Sequence, residues 1–283
     1  MKILFCSDEI SFISSKIEIA GKIEFIKPEY ISECNLKDFE ALAGFGLKGI
    51  DISHFKWIHS LGAGVDWITE NDTLNEETIV TRMISGFETS IFEYALTRVL
   101  VESNNVLTYM SDQTNKNWNP VTSKFLREMK IIILGTGSIG TGLARGFSFF
   151  GSSVSGLSRS GNSSKYFTNV YTMDNLPQQI FNNYVVINTL PSTFSTRGIL
   201  NRDFFRKFRS ATFINVGRGD SVIENDLIEA LCLGNLSSAW LDVFADEPLP
   251  SNSKLWNTDN IYITPHIAGP TQAADMVVSF VKT

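Results

Sequence analysis

The chain has 283 residues, more than one compact core usually contains, so two domains are expected. Hydrophobic residues make up 43% of it and charged residues 19%, a composition that argues against extended disorder. The formal net charge of −6 comes without a basic stripe, which argues against a nucleic-acid surface and favours a small molecule as partner.

The N-terminus and the cysteines indicate a cytoplasmic protein. The apolar stretch that starts at Met1 turns polar at Ser7, so it is too short for a signal peptide, and no apolar run reaches membrane-spanning length. Cys6, Cys34 and Cys232 are odd in number and far apart. We therefore expect reduced thiols rather than a disulfide framework or a metal site.

Short apolar runs alternate with segments of helical spacing along the chain. Buried parallel strands are predicted at residues 2–6, 57–60, 130–134, 153–157, 184–188, 212–216 and 261–264. Helices are predicted at residues 93–106, 140–150 and 225–233, and the whole stretch 90–112 is compatible with helix. The alternation predicts an α/β fold with doubly wound parallel sheets.

A GxGxxG pattern at residues 135–140 directly follows one predicted strand and opens a predicted helix. The first glycine permits a tight turn, the second lets the backbone approach a pyrophosphate, and the third lets the helix pack on the strand. A purely structural strand–turn–helix can contain the same glycines. In this context the pattern predicts a dinucleotide site, formed by Gly135, Gly137, Ser138, Ile139 and Gly140.

The next predicted strand, residues 153–157, runs into Ser158, Arg159 and Ser160, and no acidic residue occurs from position 129 to position 173. NAD-binding sites usually carry a carboxylate here, which would repel a 2′-phosphate, whereas a guanidinium between hydroxyls suits one. Arg159 could instead be a solvated loop residue. The segment favours NADP(H), with NAD(H) as the alternative.

Three polar side chains follow the ends of later strands: Arg218, Glu247 and His266. Ligands of open α/β sheets bind at the carboxyl edge of the strands, so these side chains can converge there. Each alone has a structural reading, as an ion pair, a solvated turn residue or a satisfied buried histidine. Together they suit reduction of a 2-oxo acid, because a carboxylate favours the protonated imidazole and a guanidinium grips a carboxylate.

Several ordered motifs resemble the D-isomer-specific 2-hydroxyacid dehydrogenase family, most closely its glyoxylate/hydroxypyruvate reductase branch. The motifs span nearly the whole chain and are residues 60–66, 134–140, 190–191, 196–198, 215–219, 242–250 and 265–269. The resemblance implies a flavodoxin-like substrate domain at residues 1–88 and 268–283. It implies a Rossmann dinucleotide-binding domain at residues 89–267, an active site in the cleft, and a homodimer formed through the nucleotide-binding domain.

The resemblance also assigns roles. Arg218 would hold the substrate's carboxylate and carbonyl, His266 would be the acid/base, and Glu247 would hydrogen-bond His266. The loop residues Ala63, Gly64 and Val65 would bind the substrate carboxylate through backbone N–H groups, although a glycine-containing turn has the same appearance on structural grounds. The resemblance implies that Asp242 contacts the nicotinamide carboxamide. It implies further cofactor contacts at Leu190, Pro191, Thr196, Val216, Gly217 and Gly269.

The predicted function is hydride transfer between NADP(H) and a small 2-oxo or 2-hydroxy acid, with glyoxylate or hydroxypyruvate as the expected substrate. One alternative is a non-enzymatic dinucleotide-sensing regulator on the same scaffold, and another is an NAD-dependent phosphoglycerate-type dehydrogenase. His54 and His59 are expected to be structural or surface residues. Only a brief helix is expected after Pro270, which bears on the packing of the substrate domain.

Overall fold

The computed structural model describes residues 1–17, 22–84, 86–162, 164–177 and 181–283. The chain divides into two compact units. The first unit comprises Met1–Phe87 and Pro270–Thr283, and the second comprises Glu88–Gly269. Each unit is built on its own parallel β-sheet.

The strands of the first unit are β1 (Ile3–Cys6), β2 (Ile23–Ile26), β3 (Ala41–Gly44), β4 (Trp57–Ser60) and β5 (Ile79–Arg82). Those of the second are β6 (Lys130–Leu134), β7 (Ser153–Leu157), β8 (Asn169–Tyr171), β9 (Phe181–Asn182), β10 (Tyr184–Asn188), β11 (Phe208–Arg209), β12 (Ala211–Asn215), β13 (Leu236–Leu241) and β14 (Ile261–Ile263).

The helices in chain order are α1 (Ile10–Ser14), α2 (Asp66–Thr69), α3 (Phe87–Ser103), α4 (Val106–Thr114), α5 (Ser138–Phe149), α6 (Arg202–Phe205), α7 (Glu224–Cys232) and α8 (Ala273–Lys282). Short 3₁₀ helices occur at Pro28–Glu33, Leu36–Asp38, Leu126–Glu128, Gly219–Ser221 and Lys254–Asn257. Within the described ranges, no helix is both long and apolar enough to cross a membrane.

The sheet of the first unit has the order β2-β1-β3-β4-β5, with every pair parallel, which is the flavodoxin-like order. Alternate residues of β1 enter two different cores. Phe5 packs with Ile13 and Phe280 on one face, and Leu4 packs with Ile68 on the other. Both faces are covered because successive side chains of a strand point to opposite sides of the sheet.

The final helix, α8, is a full part of the core of the first unit. The ring of Phe280 lies edge-on to Phe5, with centroids 5.0 Å apart, and is stacked on Trp57, with centroids 5.7 Å apart. Ser279 of the same helix faces the buried His59, whose Nε2 lies 3.4 Å from its hydroxyl. The brief helix expected after Pro270 therefore contributes both apolar and polar contacts.

The larger sheet of the second unit has the order β14-β13-β12-β10-β6-β7-β8, again parallel throughout. If β6 is counted as the first strand, this is the Rossmann order 3-2-1-4-5-6 with one further strand, so the order reverses between β6 and β10. Leu134, Asn188 and Asn215 lie side by side at the carboxyl ends of β6, β10 and β12. The predicted α/β fold with two doubly wound parallel sheets is confirmed.

One predicted segment differs in detail. The helix-compatible stretch 90–112 forms two helices, because α3 ends at Ser103 and α4 begins at Val106. Asn105 between them has a φ of 55°, in the left-handed region that asparagine adopts more readily than most residues. Neither proline nor glycine marks this break, so the sequence pattern gave no signal of it.

Candidate active site

In the glycine-rich turn after β6, the first and third glycines have no room for a side chain, whereas the second glycine faces open space. Gly135 has a φ of +100°, and a Cβ on Gly140 would lie 1.9 Å from the carbonyl oxygen of Gly135. A Cβ on Gly137, in contrast, would meet nothing within 4 Å. Two glycines are thus needed for the turn itself, whereas Gly137 leaves room for another molecule to approach the backbone.

Helix α5 begins directly at this opening. Its N-cap is Gly137, which has no side chain to satisfy the first-turn N–H groups of Ser138, Ile139 and Gly140. Such N–H groups, together with the positive end of the helix dipole, favour an anion. These residues therefore fit the pyrophosphate of a dinucleotide.

The segment after β7 lies at the same edge of the sheet. The Ser158 N–H donates to Tyr171 O (2.9 Å) and its hydroxyl oxygen accepts from the Gly161 N–H (3.1 Å), which fixes the start of the loop. Arg159 and Ser160 are exposed. Arg159 makes no hydrogen bond or ion pair with the part of the chain that is described, so its guanidinium is available at the end of β7.

The Glu247 and His266 side chains meet after β13 and β14. His266 Nδ1 lies 2.7 Å from Glu247 Oε2, while Glu247 Oε1 accepts the N–H of Phe244 at 2.9 Å. A carboxylate only accepts hydrogen bonds, so Nδ1 carries the proton of this contact and Nε2 is left for other chemistry. The imidazole is partly open, with 46% of its side chain exposed.

Arg218 lies in a turn whose backbone packs closely against the backbone of Phe244, three residues before Glu247. A Cβ on the next residue, Gly219, would lie 1.8 Å from the carbonyl carbon of Phe244, so only glycine allows the two backbones to approach this closely. The carbonyl oxygen of Arg218 accepts from the Ser221 hydroxyl at 2.6 Å. The guanidinium is near enough for its charge to act on both Glu247 and His266.

The charges of this cluster shift two pKa values. The hydrogen bond with Glu247 raises the pKa of His266 above its ordinary 6.5, against the opposing effect of burial. Burial alone would raise the pKa of Glu247, but the hydrogen bonds from His266 and from the Phe244 N–H outweigh it and lower that pKa. The pair therefore favours a protonated imidazole beside an ionised carboxylate.

Two buried amides, neither of them predicted from the sequence as a site residue, connect the loops around this site. Asn188 Nδ2 donates to Asn215 Oδ1 at 2.9 Å and to Ser221 Oγ at 2.8 Å, and its Oδ1 accepts the Leu190 N–H at 3.1 Å. The available signal was a polar residue at the end of an apolar strand. The amide pair ties the loop after β10 to the turn that carries Arg218.

The other predicted cofactor residues lie at the same carboxyl edge. Leu190 and Val216 are buried, Pro191 is exposed, and the hydroxyl of Thr196 donates to Pro191 O at 2.6 Å. The N–H of Gly217 donates to Asn215 Oδ1 at 3.2 Å. The remaining two are Asp242, which is 1% exposed and hydrogen-bonded to the His266 loop, and Gly269, the last residue of the second unit.

Ala63, Gly64 and Val65 belong to the first unit, in the loop after β4. The loop is held by the Ser60 hydroxyl, which donates to Gly64 O at 2.7 Å, and by Arg82, whose Nη1 donates to Ala63 O at 2.5 Å. Arg82 was not predicted, because nothing in the sequence connects the end of β5 with this loop.

Comparison with known proteins gives a consistent result. Residues 96–268 match the model of the family described as D-isomer specific 2-hydroxyacid dehydrogenase, NAD binding domain. A glyoxylate/hydroxypyruvate reductase A of Yersinia enterocolitica is 34% identical over 237 residues, which cover 80% of this chain and 76% of the relative. The chain belongs to the D-isomer-specific 2-hydroxyacid dehydrogenase family.

Solved structures of this dehydrogenase family agree with the fold. A family member from Xanthobacter autotrophicus, in complex with NADPH and MES, has a TM-score of 0.86 and 26% identity, covering 99% of this chain and 92% of that one. An NADPH-dependent glyoxylate/hydroxypyruvate reductase from Sinorhizobium meliloti, in complex with NADP and sulfate, has a TM-score of 0.84 and 25% identity, with the same coverage. The chain is thus a dehydrogenase-type oxidoreductase whose second unit is a nicotinamide-dinucleotide-binding Rossmann domain.

Proposed function

We propose that this dehydrogenase reduces a small 2-oxo acid, glyoxylate or hydroxypyruvate, to the 2-hydroxy acid with NADPH, and that His266 is the proton donor. The contact of His266 Nδ1 with Glu247 Oε2 at 2.7 Å carries the proposal. It leaves the opposite ring nitrogen, Nε2, as the acidic group, on a half-exposed imidazole whose pKa is raised.

Three side chains have separate roles in the proposed reaction. Glu247 orients the imidazole and stabilises its positive charge. Arg218 offers a planar pair of donors to the substrate carboxylate and carbonyl, so that the oxygen faces Nε2 of His266. When bound, NADPH would supply the hydride that reaches the 2-carbon of the oxo acid and would leave as NADP⁺. His266 gives its proton to the developing alkoxide, so the oxo acid gains one hydride and one proton and becomes the hydroxy acid.

The preference for NADP(H) rests on the end of β7. Arg159 is exposed between two serines, and no carboxylate occurs between positions 129 and 173 to repel a 2′-phosphate. The two solved relatives described above bind NADPH or NADP. We assign Ser158, Arg159 and Ser160 to the 2′-phosphate, and the GxGxxG turn to the pyrophosphate.

The proposed substrate follows from the relatives and from the loop of the first unit. The Yersinia and Sinorhizobium proteins are glyoxylate/hydroxypyruvate reductases. In this chain the backbone N–H groups of Ala63, Gly64 and Val65 are assigned to the substrate carboxylate, since small residues let an anion approach them closely. Asp242 is assigned to the nicotinamide carboxamide, with Leu190, Pro191, Thr196, Val216, Gly217 and Gly269 beside the cofactor.

A matrix of steady-state rates tests the proposal. It crosses NADPH and NADH with glyoxylate, hydroxypyruvate, pyruvate, a branched 2-oxo acid and 3-phosphohydroxypyruvate. The highest kcat/KM is expected for NADPH with glyoxylate or hydroxypyruvate. Turnover of 3-phosphohydroxypyruvate with NADH above all others would establish a phosphoglycerate-type enzyme, and tight NADPH binding without turnover of any oxo acid would establish a sensor.

Two variants test the catalytic assignments directly. His266→Ala and Arg218→Ala are each expected to lower turnover by about 10²- to 10⁴-fold, because each removes a group that acts in the transition state. The Kd for NADPH, measured by fluorescence, is expected to stay within about twofold of the wild type. Near-normal turnover in either variant would refute the role assigned to that residue.

We further propose a homodimer formed through the Glu88–Gly269 unit. Helix α4 and the loop after it expose several large apolar side chains, among them Met110, Trp118 and Phe125, with Trp118 96% exposed. Sedimentation equilibrium is expected to give a dimer for the wild type and a monomer for Met110→Glu/Trp118→Glu. A monomeric wild type at micromolar concentration would exclude the dimer.

A further inference from the structure

A series of two hydrogen-bonded hydroxyl groups, of the buried Tyr94 and the half-buried Thr264, leads from helix α3 to the loop that carries His266. The hydroxyl of Tyr94 lies 2.6 Å from Thr264 Oγ1, and Thr264 Oγ1 lies 2.6 Å from Asp242 Oδ1. The Asp242 carboxylate also accepts the N–H groups of Ile267 and Ala268, so it acts as an acceptor. The Thr264 hydroxyl therefore donates a hydrogen bond to Asp242, and its oxygen accepts a hydrogen bond from the Tyr94 hydroxyl.

Asp242 holds the backbone on both sides of the His266 side chain. Its carbonyl oxygen accepts the His266 N–H at 2.9 Å, and its carboxylate oxygens accept from Ile267 and Ala268 at 2.9 and 2.8 Å. His266 has a φ of 53°, a left-handed conformation that residues with a Cβ rarely adopt. The conformation persists where its surroundings impose it, and three consecutive N–H groups bound by one aspartate do so.

Tyr94 is itself held in place from α3. Its side chain is buried, and the guanidinium of Arg98, one turn further on, lies 3.5 Å from the centre of its ring. Another turn along, Glu102 accepts the Ser238 hydroxyl at 2.6 Å and the Trp240 indole N–H at 2.8 Å, which fixes α3 against β13. The phenol is thus presented to Thr264 by a helix that is anchored to the sheet.

We propose that Tyr94 and Thr264 are positioning residues for His266, acting through Asp242. The hydroxyl chain fixes the orientation of the Asp242 carboxylate, which in turn holds His266 in the conformation that meets Glu247. The inference rests on the proposed role of His266 as proton donor. Neither residue is among the site residues predicted from the sequence, and Tyr94 precedes Thr264 by 170 positions.

Two changes are expected when one of the two hydroxyl groups is removed. A Thr264 hydroxyl that lacks its donor can rotate, and an Asp242 carboxylate that lacks the hydroxyl has one acceptor position unfilled in a buried site. Either change loosens the His266 loop and lengthens the contact with Glu247. The charged groups that then act on the imidazole are Arg218, Glu247 and Asp242, so loss of the Glu247 contact returns its pKa toward 6.5.

The test compares Tyr94→Phe and Thr264→Val with Thr264→Ser, which keeps the hydroxyl, and with Tyr184→Phe, which removes a phenol at the opposite end of the sheet. Steady-state kinetics use the best oxo acid and NADPH. Tyr94→Phe and Thr264→Val are expected to lower kcat about 10- to 100-fold at unchanged KM, since small displacements of a catalytic group are costly. Thr264→Ser and Tyr184→Phe are expected to stay within about threefold of the wild type.

A second readout does not depend on turnover. In protein with labelled histidine, NMR titration follows the pKa of His266, assigned by comparison with His266→Gln. That pKa is expected to fall in Tyr94→Phe and Thr264→Val and to be restored in Thr264→Ser. The double variant Tyr94→Phe/Thr264→Val is expected to match Thr264→Val alone, because the hydroxyls act as one unit.

The outcomes separate this inference from the proposed function. If no oxo acid is turned over by the wild type, the proposed function fails, while the titration still tests the hydroxyl chain. An unchanged His266 pKa in Tyr94→Phe and Thr264→Val overturns the inference. An equal loss of kcat in Thr264→Ser also overturns it, because packing rather than the hydroxyl would then be responsible.

Discussion

Glu247 accepts two hydrogen bonds with its two carboxylate oxygens, one from the His266 imidazole at 2.7 Å and one from the Phe244 N–H at 2.9 Å. The second bond holds the carboxylate against its own turn, so the first can orient the ring. Since the pKa of His266 is raised, a larger fraction of this imidazole is protonated at a given pH than of a free histidine.

The first prediction concerns the pH dependence of oxo acid reduction. In the proposed mechanism the proton comes from His266, so kcat/KM is expected to be highest below the pKa of that residue and to fall as the pH rises through it. Glu247→Gln removes the main cause of the raised pKa, so the descending limb should move to lower pH and kcat should fall at least tenfold. If kcat/KM falls over the same pH range in Glu247→Gln as in the wild type, a group other than His266 controls the pH dependence.

The second prediction concerns the cofactor. Arg159→Ala is expected to raise the Kd for NADPH about 10- to 100-fold, the effect of losing a charge-assisted hydrogen bond, and to leave the Kd for NADH unchanged. Arg209→Ala is the matched control, since Arg209 is also exposed but precedes the amino end of β12. Equal weakening of NADH and NADPH binding would argue against a 2′-phosphate contact.

The third prediction compares two glycines of the same turn. Gly137→Ala adds a methyl group that meets no atom within 4 Å, so the free energy of unfolding should change by less than about 1 kcal/mol. The same methyl group would occupy the space assigned to the pyrophosphate, and NADPH binding should weaken at least tenfold. Isothermal titration and urea unfolding measure the two quantities.

Gly140→Ala should behave in the opposite way to Gly137→Ala. Its Cβ would lie 1.9 Å from the Gly135 carbonyl oxygen, so the helix must move and the protein should lose stability, by about 1–3 kcal/mol or more. Gly137→Ala with normal NADPH affinity would place the pyrophosphate elsewhere.

The fourth prediction concerns the stability of the first unit in acid. Burial lowers the pKa of His59 from 6.5 to about 4, and its ring contacts Thr81 and Ser279. Between these pH values the unfolded chain binds a proton that the folded chain does not. The free energy of unfolding should therefore fall as the pH drops from 6.5 to 4, by at most about 3 kcal/mol.

Urea unfolding from pH 4 to pH 7 measures the free energy of unfolding at each pH. The slope of this free energy against pH is then compared between the wild type and the variants. In His59→Gln the pH dependence across the window should be weaker, whereas His54→Gln, which alters the other histidine of the unit, should retain it. An equal dependence in His59→Gln would assign the effect to other groups.

Much of the fold could be predicted because the strands of a parallel sheet are buried on both faces and appear as apolar runs of fixed length. Strand β3 was not predicted, since its sequence Ala-Leu-Ala-Gly lacks the β-branched and aromatic residues that mark strands. It is a strand because β1 and β4 pair with it on either side. Similarly, the break at Asn105 depends on one backbone conformation that many sequences tolerate.

The sequence by itself indicated the family and the glycine-rich turn, and it led to the proposed roles of Arg218, Glu247 and His266, because each motif is local and each of these residues follows the end of a strand. Only the tertiary structure revealed the residues that hold them. Asn188 meets Asn215 across adjacent strands, and Tyr94 meets Thr264 from a distant helix. These contacts join residues far apart in the chain, and a hydrogen bond between such residues leaves no periodic pattern in the sequence.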